Sequence, residues 1–180
     1  MADDTASAPA PAPAPAQMGM LQRRRIEAEI IKPIYEAMKR ELGAERAQAI
    51  LAQGIRQAAI DAARGFAATV PGGPSLESLH DLLPLWTKDD AQQIEILTAS
   101  PTQLDFNVRR CRYAEMYRAM GLGDIGHILS CNRDGAFCEG FDPKISMQRT
   151  QTIMGGADHC DFRYTRPAEE PEAAGSSRKL

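Results

Sequence analysis

At Gln92 the hydrophobic periodicity of this chain changes from that of a helix to that of a strand, and no other feature limits its fold as much. Upstream, Ile26, Ile30, Ile34 and Met38 recur every four residues, with Ile31 and Tyr35 widening the stripe. That spacing predicts a helix over 21–42. Pro33 falls inside it and is expected to kink it or mark its restart. Gly43 is placed to end it. A second helix is predicted over 44–66, with Ile50, Leu51, Ile55, Ala58, Ala59, Ala62 and Phe66 on its apolar side. Small residues dominate that side, Gly54 among them, so another helix can approach closely and an antiparallel hairpin is the expected result. After a Pro/Gly loop at 70–74, Ser75 can cap a shorter helix carrying Leu76, Leu79, Leu82 and Leu83. His80 faces away from that row, and Trp86 anchors the segment.

Downstream, strands are predicted at 92–98 and 103–110 around a Ser100-Pro101-Thr102 turn. In the second, Leu104, Phe106 and Val108 alternate with Asp105, Asn107 and Arg109, the pattern of a half-buried antiparallel strand. A helix follows at 112–120, with Tyr113, Met116, Tyr117 and Met120 inward. Asp124 is expected to cap another through residue 129. Further strands are expected near 136–141, 144–154 and 160–164. Helices first and paired strands later predict an α+β fold: an N-terminal helical hairpin packed on a C-terminal antiparallel sheet with interleaved short helices. A single domain is expected over 19–166, between a disordered Pro/Ala tail at 1–18 and a flexible tail at 167–180.

A net charge of -3 over 180 residues offers no global attraction to nucleic acid or to an anionic membrane. The run Arg23-Arg24-Arg25 is expected to be a solvated helix face. No apolar run reaches the roughly 18 residues a membrane span needs. The start, with Asp3 and Asp4 ahead of alternating Ala and Pro, lacks the form of a secretory signal, so the expected location is the cytoplasm. Four cysteines there are expected to be free thiols or metal ligands in preference to disulfides. The Ala-rich helix faces suit a homo-oligomer as well as packing within one chain.

Residues able to do chemistry concentrate between 111 and 164, where all four cysteines fall. Cys111 stands where a strand hands over to a helix, between Arg110 and Arg112. The helix dipole, free amides and flanking guanidinium groups would favour thiolate there; the plainer reading is a small core residue. In 144–154, Arg149 and Gln151 share the parity of Ile145, Met147 and Ile153, so Arg149 points inward and needs an anion. Either a structural carboxylate or a substrate carboxylate would serve. Asp134, beside Gly135, reads as a turn residue or as a base or ligand near Cys131. Cys160, Phe162 and Tyr164 share one face of the last strand, and His159, Asp161 and Arg163 the other. A zinc site using Cys111, Cys131, Cys138, Cys160 and His159 can be written, yet no C-x-x-C spacing supports it. Phosphate-loop, H-E-x-x-H and G-x-S-x-G motifs are absent.

The strings Cys111-Arg-Tyr-Ala-Glu115, Leu129-Ser-Cys-Asn-Arg-Asp134, Gly140-Phe-Asp-Pro143, Arg149-Thr-Gln-Thr-Ile-Met154 and Cys160-Asp-Phe-Arg-Tyr164 resemble the L-2-amino-thiazoline-4-carboxylate hydrolase family. The terminal motif departs from the family pattern in having Ala157 between Gly156 and Asp158. This resemblance implies ring opening at a carbon–nitrogen bond of a small cyclic amidine, with no nucleotide cofactor. It implies Cys111 as nucleophile, with Cys131 or Cys160 behind it, and Asp134 or Asp161 as base or amidinium-holding carboxylate. Arg149 would hold a substrate carboxylate, with Glu115 and His159 as further substrate-binding candidates. Should a metal take part, zinc on Cys111, Cys131, Cys160 and His159 is the set. A fainter resemblance to small-molecule-binding domains of the vinyl-reductase type implies the alternative, a sensor module without turnover.

Overall fold

The structure, a computed structural model, describes residues 18–168. The expected tails at 1–18 and 167–180 therefore fall, but for residues 18, 167 and 168, outside the described residues. Helix α1 spans Met20–Leu42 and α2 Ala44–Ala67, separated by Gly43 alone, whose φ of 80° is one that glycine tolerates without strain. Gln48 of α2 donates to the Tyr35 hydroxyl of α1 across that turn. Only half of the anticipated α1 stripe is inward. Tyr35 is buried and Ile31 and Met38 are half-buried, whereas Ile30 and Ile34 are 61% and 53% exposed. The inward row instead runs through the buried Ala28 and Tyr35 and the half-buried Arg24, Glu27 and Ile31, which lie three, four or seven residues apart along one face.

Helix α3, Leu76–Thr87, opens on the predicted cap: the Ser75 hydroxyl accepts from the Ser78 amide at 3.1 Å and the Ser78 hydroxyl accepts from the Ser75 amide at 2.8 Å. Strands β1 (Gln92–Ala99) and β2 (Gln103–Cys111) follow, then α4 (Arg112–Ala119). A π-helical turn at His127–Cys131 runs directly into α5, Asn132–Phe141. Strands β3 (Ser146–Gln148) and β4 (Cys160–Thr165) complete an antiparallel sheet of order β1-β2-β4-β3. Phe106 faces Phe162 across the β2–β4 pair, their rings stacked at 4.8 Å, and Tyr164 extends the stack. This is the anticipated α+β arrangement, with the aromatic face of the sheet turned toward the helices. Among the described residues no helix is long and apolar enough to cross a membrane.

Two expected strands are corrected. Residues 136–141 are helical because Ala136, Phe137, Gly140 and Phe141 follow a helical repeat against α2. A Cβ on Gly140 would collide with the Ile60 carbonyl oxygen and lie 2.9 Å from the Ala63 Cβ, so only glycine lets α5 come this near. The predicted strand at 144–154 survives as three residues. Past Gln148 the amides of Thr150 and Gln151 point to the Asp161 carboxylate instead of a neighbouring strand. The helix expected from Asp124 also differs: Asp124 accepts from the Tyr35 hydroxyl, and helical turns begin at His127.

Candidate functional site

Between the helices and the sheet's aromatic face lies a cavity of about 330 Å³. Five of the eight catalytic and substrate-binding candidates line it: Cys111 from the end of β2, Cys131 from the π-helical turn, Asp134 from α5, Arg149 from the segment after β3, and Cys160 from β4. Cys138, on α5, lines it too. Parity explains the two β4 outcomes. Cys160 is inward with Phe162 and Tyr164, and Asp161 is carried to the opposite face.

The remaining three candidates are not on the cavity wall. Asp161 accepts from the amides of Thr150 and Gln151 and from the Thr150 hydroxyl. Desolvation works to raise its pKa, but these donors outweigh it and hold the carboxyl down to about 2. Glu115 is exposed and bound to Arg110. His159 packs its ring against Asp158 and Gln151 on the outer side of β4. Among the described residues no group of three or more His, Cys, Asp or Glu stands where it could hold a metal ion.

The thiols carry raised pKa values, against the thiolate reading of Cys111 and in line with its alternative as a buried core residue. All four cysteines are free. Burial pushes the Cys111 thiol up, and the amides of Ala114 and Tyr113 at the start of α4 offset this only in part. The flanking cations do not help because they are committed outward: Arg110 to Asp90 and Glu115, Arg112 to the Asp89 carbonyl. Cys131 is pushed up to about 12 by burial and then by the Asp134 carboxylate. Burial likewise raises Cys160, against the pull of the Ile153 amide, which donates to its sulfur at 3.2 Å. The resting cavity thus holds protonated thiols, and any nucleophile among them needs a base.

Asp134 is the carboxylate placed to act. Burial pushes its pKa up, while the Arg149 guanidinium pulls it back without cancelling the rise. Arg149 donates to Asp134 at 2.5 Å and to the Cys131 carbonyl at 3.0 Å, and lies over the Phe162 ring at 5.0 Å. Of the two anions open to Arg149, the structural one is therefore present.

A second ionic group on the wall was not anticipated. Glu27 accepts from Arg23 at 3.0 Å, from Arg24 at 2.7 Å and from Arg133 at 3.2 Å. The side chains of Arg24 and Arg133 are each 12% exposed, so Arg24 does not belong to a solvated face as Arg23 and Arg25 do. The signal was its three-residue spacing from Glu27 and seven-residue spacing from Ile31, a row masked by the stronger Ile26-Ile30-Ile34 repeat. Phe66, Trp86 and Phe137 form an aromatic cluster on the same cavity, with centroids 5.4 to 6.3 Å apart.

Comparison with known proteins adds two findings. The model of the family described as L-2-amino-thiazoline-4-carboxylic acid hydrolase matches residues 23–164. Among solved structures, the phenol-responsive sensory domain of the transcription activator PoxR with phenol is similar over 83% of this chain and 77% of that one, with a TM-score of 0.51. Its sequence is 14% identical, so the likeness is one of fold. No curated protein matches the chain.

Proposed function

Since this chain belongs to the L-2-amino-thiazoline-4-carboxylic acid hydrolase family, we propose that it hydrolyses a carbon–nitrogen bond in a small cyclic amidine. The observation that carries the reading is that Cys111, Cys131, Cys160 and the Asp134 carboxylate line one cavity of ligand size. Cys111 is the proposed nucleophile because the amides at the start of α4 are available to stabilise its sulfur as charge develops. Asp134 is the proposed base, its raised pKa bringing its proton affinity closer to that of a thiol.

In this mechanism the Cys111 sulfur bonds to the amidine carbon while its proton passes to Asp134. The ring carbon–nitrogen bond then breaks, and the nitrogen leaves with the electron pair and takes that proton. Water adds to the same carbon, Asp134 accepts its proton and returns it to the departing sulfur, and the thiol is restored. One water is consumed and nothing is oxidised or reduced. The test is turnover of 2-amino-thiazoline-4-carboxylate by the purified chain, with Cys111→Ser beside it. Loss of at least about 10²-fold in rate, with iodoacetamide protection at Cys111 by substrate, is the expected result. Unchanged turnover in Cys111→Ser would move the nucleophile to Cys131, to Cys160 or to water.

A second reading has its own support. Protonated buried thiols, an aromatic-walled cavity and a fold shared with a sensory domain suit a module that binds a small molecule without consuming it. Binding of the same compound with complete recovery after prolonged incubation would decide for it.

A further inference from the structure

Charge on the cavity wall does not balance. Arg149 has its anion in Asp134. The other group sets one carboxylate, Glu27, against three guanidinium groups, two of them nearly withdrawn from solvent. Arg133 registers the excess: burial first, and the neighbouring Arg24 charge second, lower its pKa to about 10. Its Nε donates to the Leu129 carbonyl at 2.7 Å and its Nη2 to Glu27. Arg24 uses only Nη1, on both Glu27 oxygens. Among the described residues, Nη2 of Arg24 and Nη1 of Arg133 have no hydrogen-bond partner, although both side chains line the cavity. Two immobilised guanidinium groups with spare N–H donors suit a carboxylate, which can accept from both and supply the missing negative charge.

The Phe66, Trp86 and Phe137 rings line the same cavity and offer a planar ligand apolar and edge-on contacts. We propose that Arg24 and Arg133, and not Arg149, form the receptor for a ligand's carboxylate in this cavity, with the ligand's ring lying against the aromatic cluster. The carboxylate is assigned here to Arg24 and Arg133, leaving Arg149 to hold Asp134. The proposal rests on the cavity being the ligand site, as the proposed function has it, but not on turnover.

Trp86 is the only tryptophan in the chain and lines the cavity, so its fluorescence reports occupancy directly. The full chain is titrated with 2-amino-thiazoline-4-carboxylate and benzoate, each against its methyl ester, and with phenol. Both carboxylates are expected to change Trp86 emission saturably and to bind on the order of 10- to 100-fold more tightly than the esters. Arg24→Gln and Arg133→Gln should remove that preference while leaving ester binding in place. Glu27→Gln, which removes the competing anion, should shift the preference the other way and tighten carboxylate binding. That opposite sign cannot come from a loosened fold. Equal binding of acid and ester, phenol binding without carboxylate binding, no response to any probe, or looser carboxylate binding in Glu27→Gln would each overturn the proposal. Carboxylate-selective binding without turnover would leave it standing and sink the hydrolase reading. Turnover unaffected by either arginine substitution would do the reverse.

Discussion

Asp134 and Asp161 carry the same carboxylate into opposite circumstances. Around Asp161 two backbone amides and a hydroxyl converge, and those donors hold it ionised despite desolvation. Around Asp134 burial outweighs the Arg149 guanidinium and the more weakly acting Arg24 and Arg133, and its pKa stays above the ordinary carboxylate value. One acid therefore replaces strand pairing in the segment after β3, while the other is left able to exchange a proton beside the cavity thiols. Neighbourhood in sequence would have chosen wrongly, since Asp161 directly follows Cys160 and lies across the strand from it. The number of donors set against desolvation separates a structural acid from a chemically available one.

The sharpest way to break this comparison is to neutralise each acid in turn. Asp134→Asn removes the proposed base, and turnover of the cyclic amidine should fall on the order of 10²- to 10⁴-fold. Asp161→Asn should retain most of the activity at a temperature where it stays folded. Equal losses, measured by steady-state kinetics alongside circular dichroism, would erase the distinction between the two regions.

Next in size is a change that moves one region and spares the other. Gly140→Ala places a methyl against the Ile60 carbonyl and the Ala63 side chain, at the contact that sets α5, and with it Asp134, against α2. Overpacking of this kind costs about 1–3 kcal/mol, read as a lower urea midpoint. The segment around Asp161 touches neither helix at that contact, so Thr150 and Gln151 amide protection in hydrogen exchange should be lowered no more than global stability requires. Asp161→Ala is the converse. It strands the two amides at a partly solvated site and should cost about 1–2 kcal/mol, with exchange rising first at Thr150 and Gln151.

Legibility in the sequence follows the same division. The helical half, the β2 alternation and the β4 parity rest on regular apolar spacing, and the fold class followed from them. Cys111, Cys131, Asp134, Arg149 and Cys160 were nameable before the structure and share its cavity. What escaped was decided by contacts distant in sequence. Helix α5 carries Gly135 and Gly140, which weaken any helical signal, and it is held in place by α2, some eighty residues earlier. The segment after Gln148 has strand-like alternation, yet its amides are claimed by a side chain ten or so residues onward. Of the two readings of Cys111, the buried one has the support of its raised pKa, because Arg110 and Arg112 are neighbours in sequence whose charge is spent on Asp90, Glu115 and the Asp89 carbonyl.

The smallest expected effect is also the most specific to the comparison, because the two acids should shift stability with pH in opposite directions. Asp161 has a folded pKa near 2, below the unfolded value of about 3.9, so its stabilisation is present above the unfolded pKa and is lost as pH falls toward 2. Asp134 has a folded pKa raised above the unfolded value, so its contribution is present in full below about pH 3.9 and declines as pH rises through the folded pKa. Urea unfolding of the wild type, Asp161→Asn and Asp134→Asn at pH 3, 4, 5 and 6 separates the two, each variant serving as its own reference for the missing titration. The wild-type advantage over Asp161→Asn should grow from pH 3 to pH 5, and that over Asp134→Asn should shrink over the range above pH 4. Partial solvation of Asp161 keeps its term to about 1 kcal/mol or less. If both differences moved in the same direction, the unequal donor sets would not be what distinguishes these regions, and Asp134 would be one more structural acid.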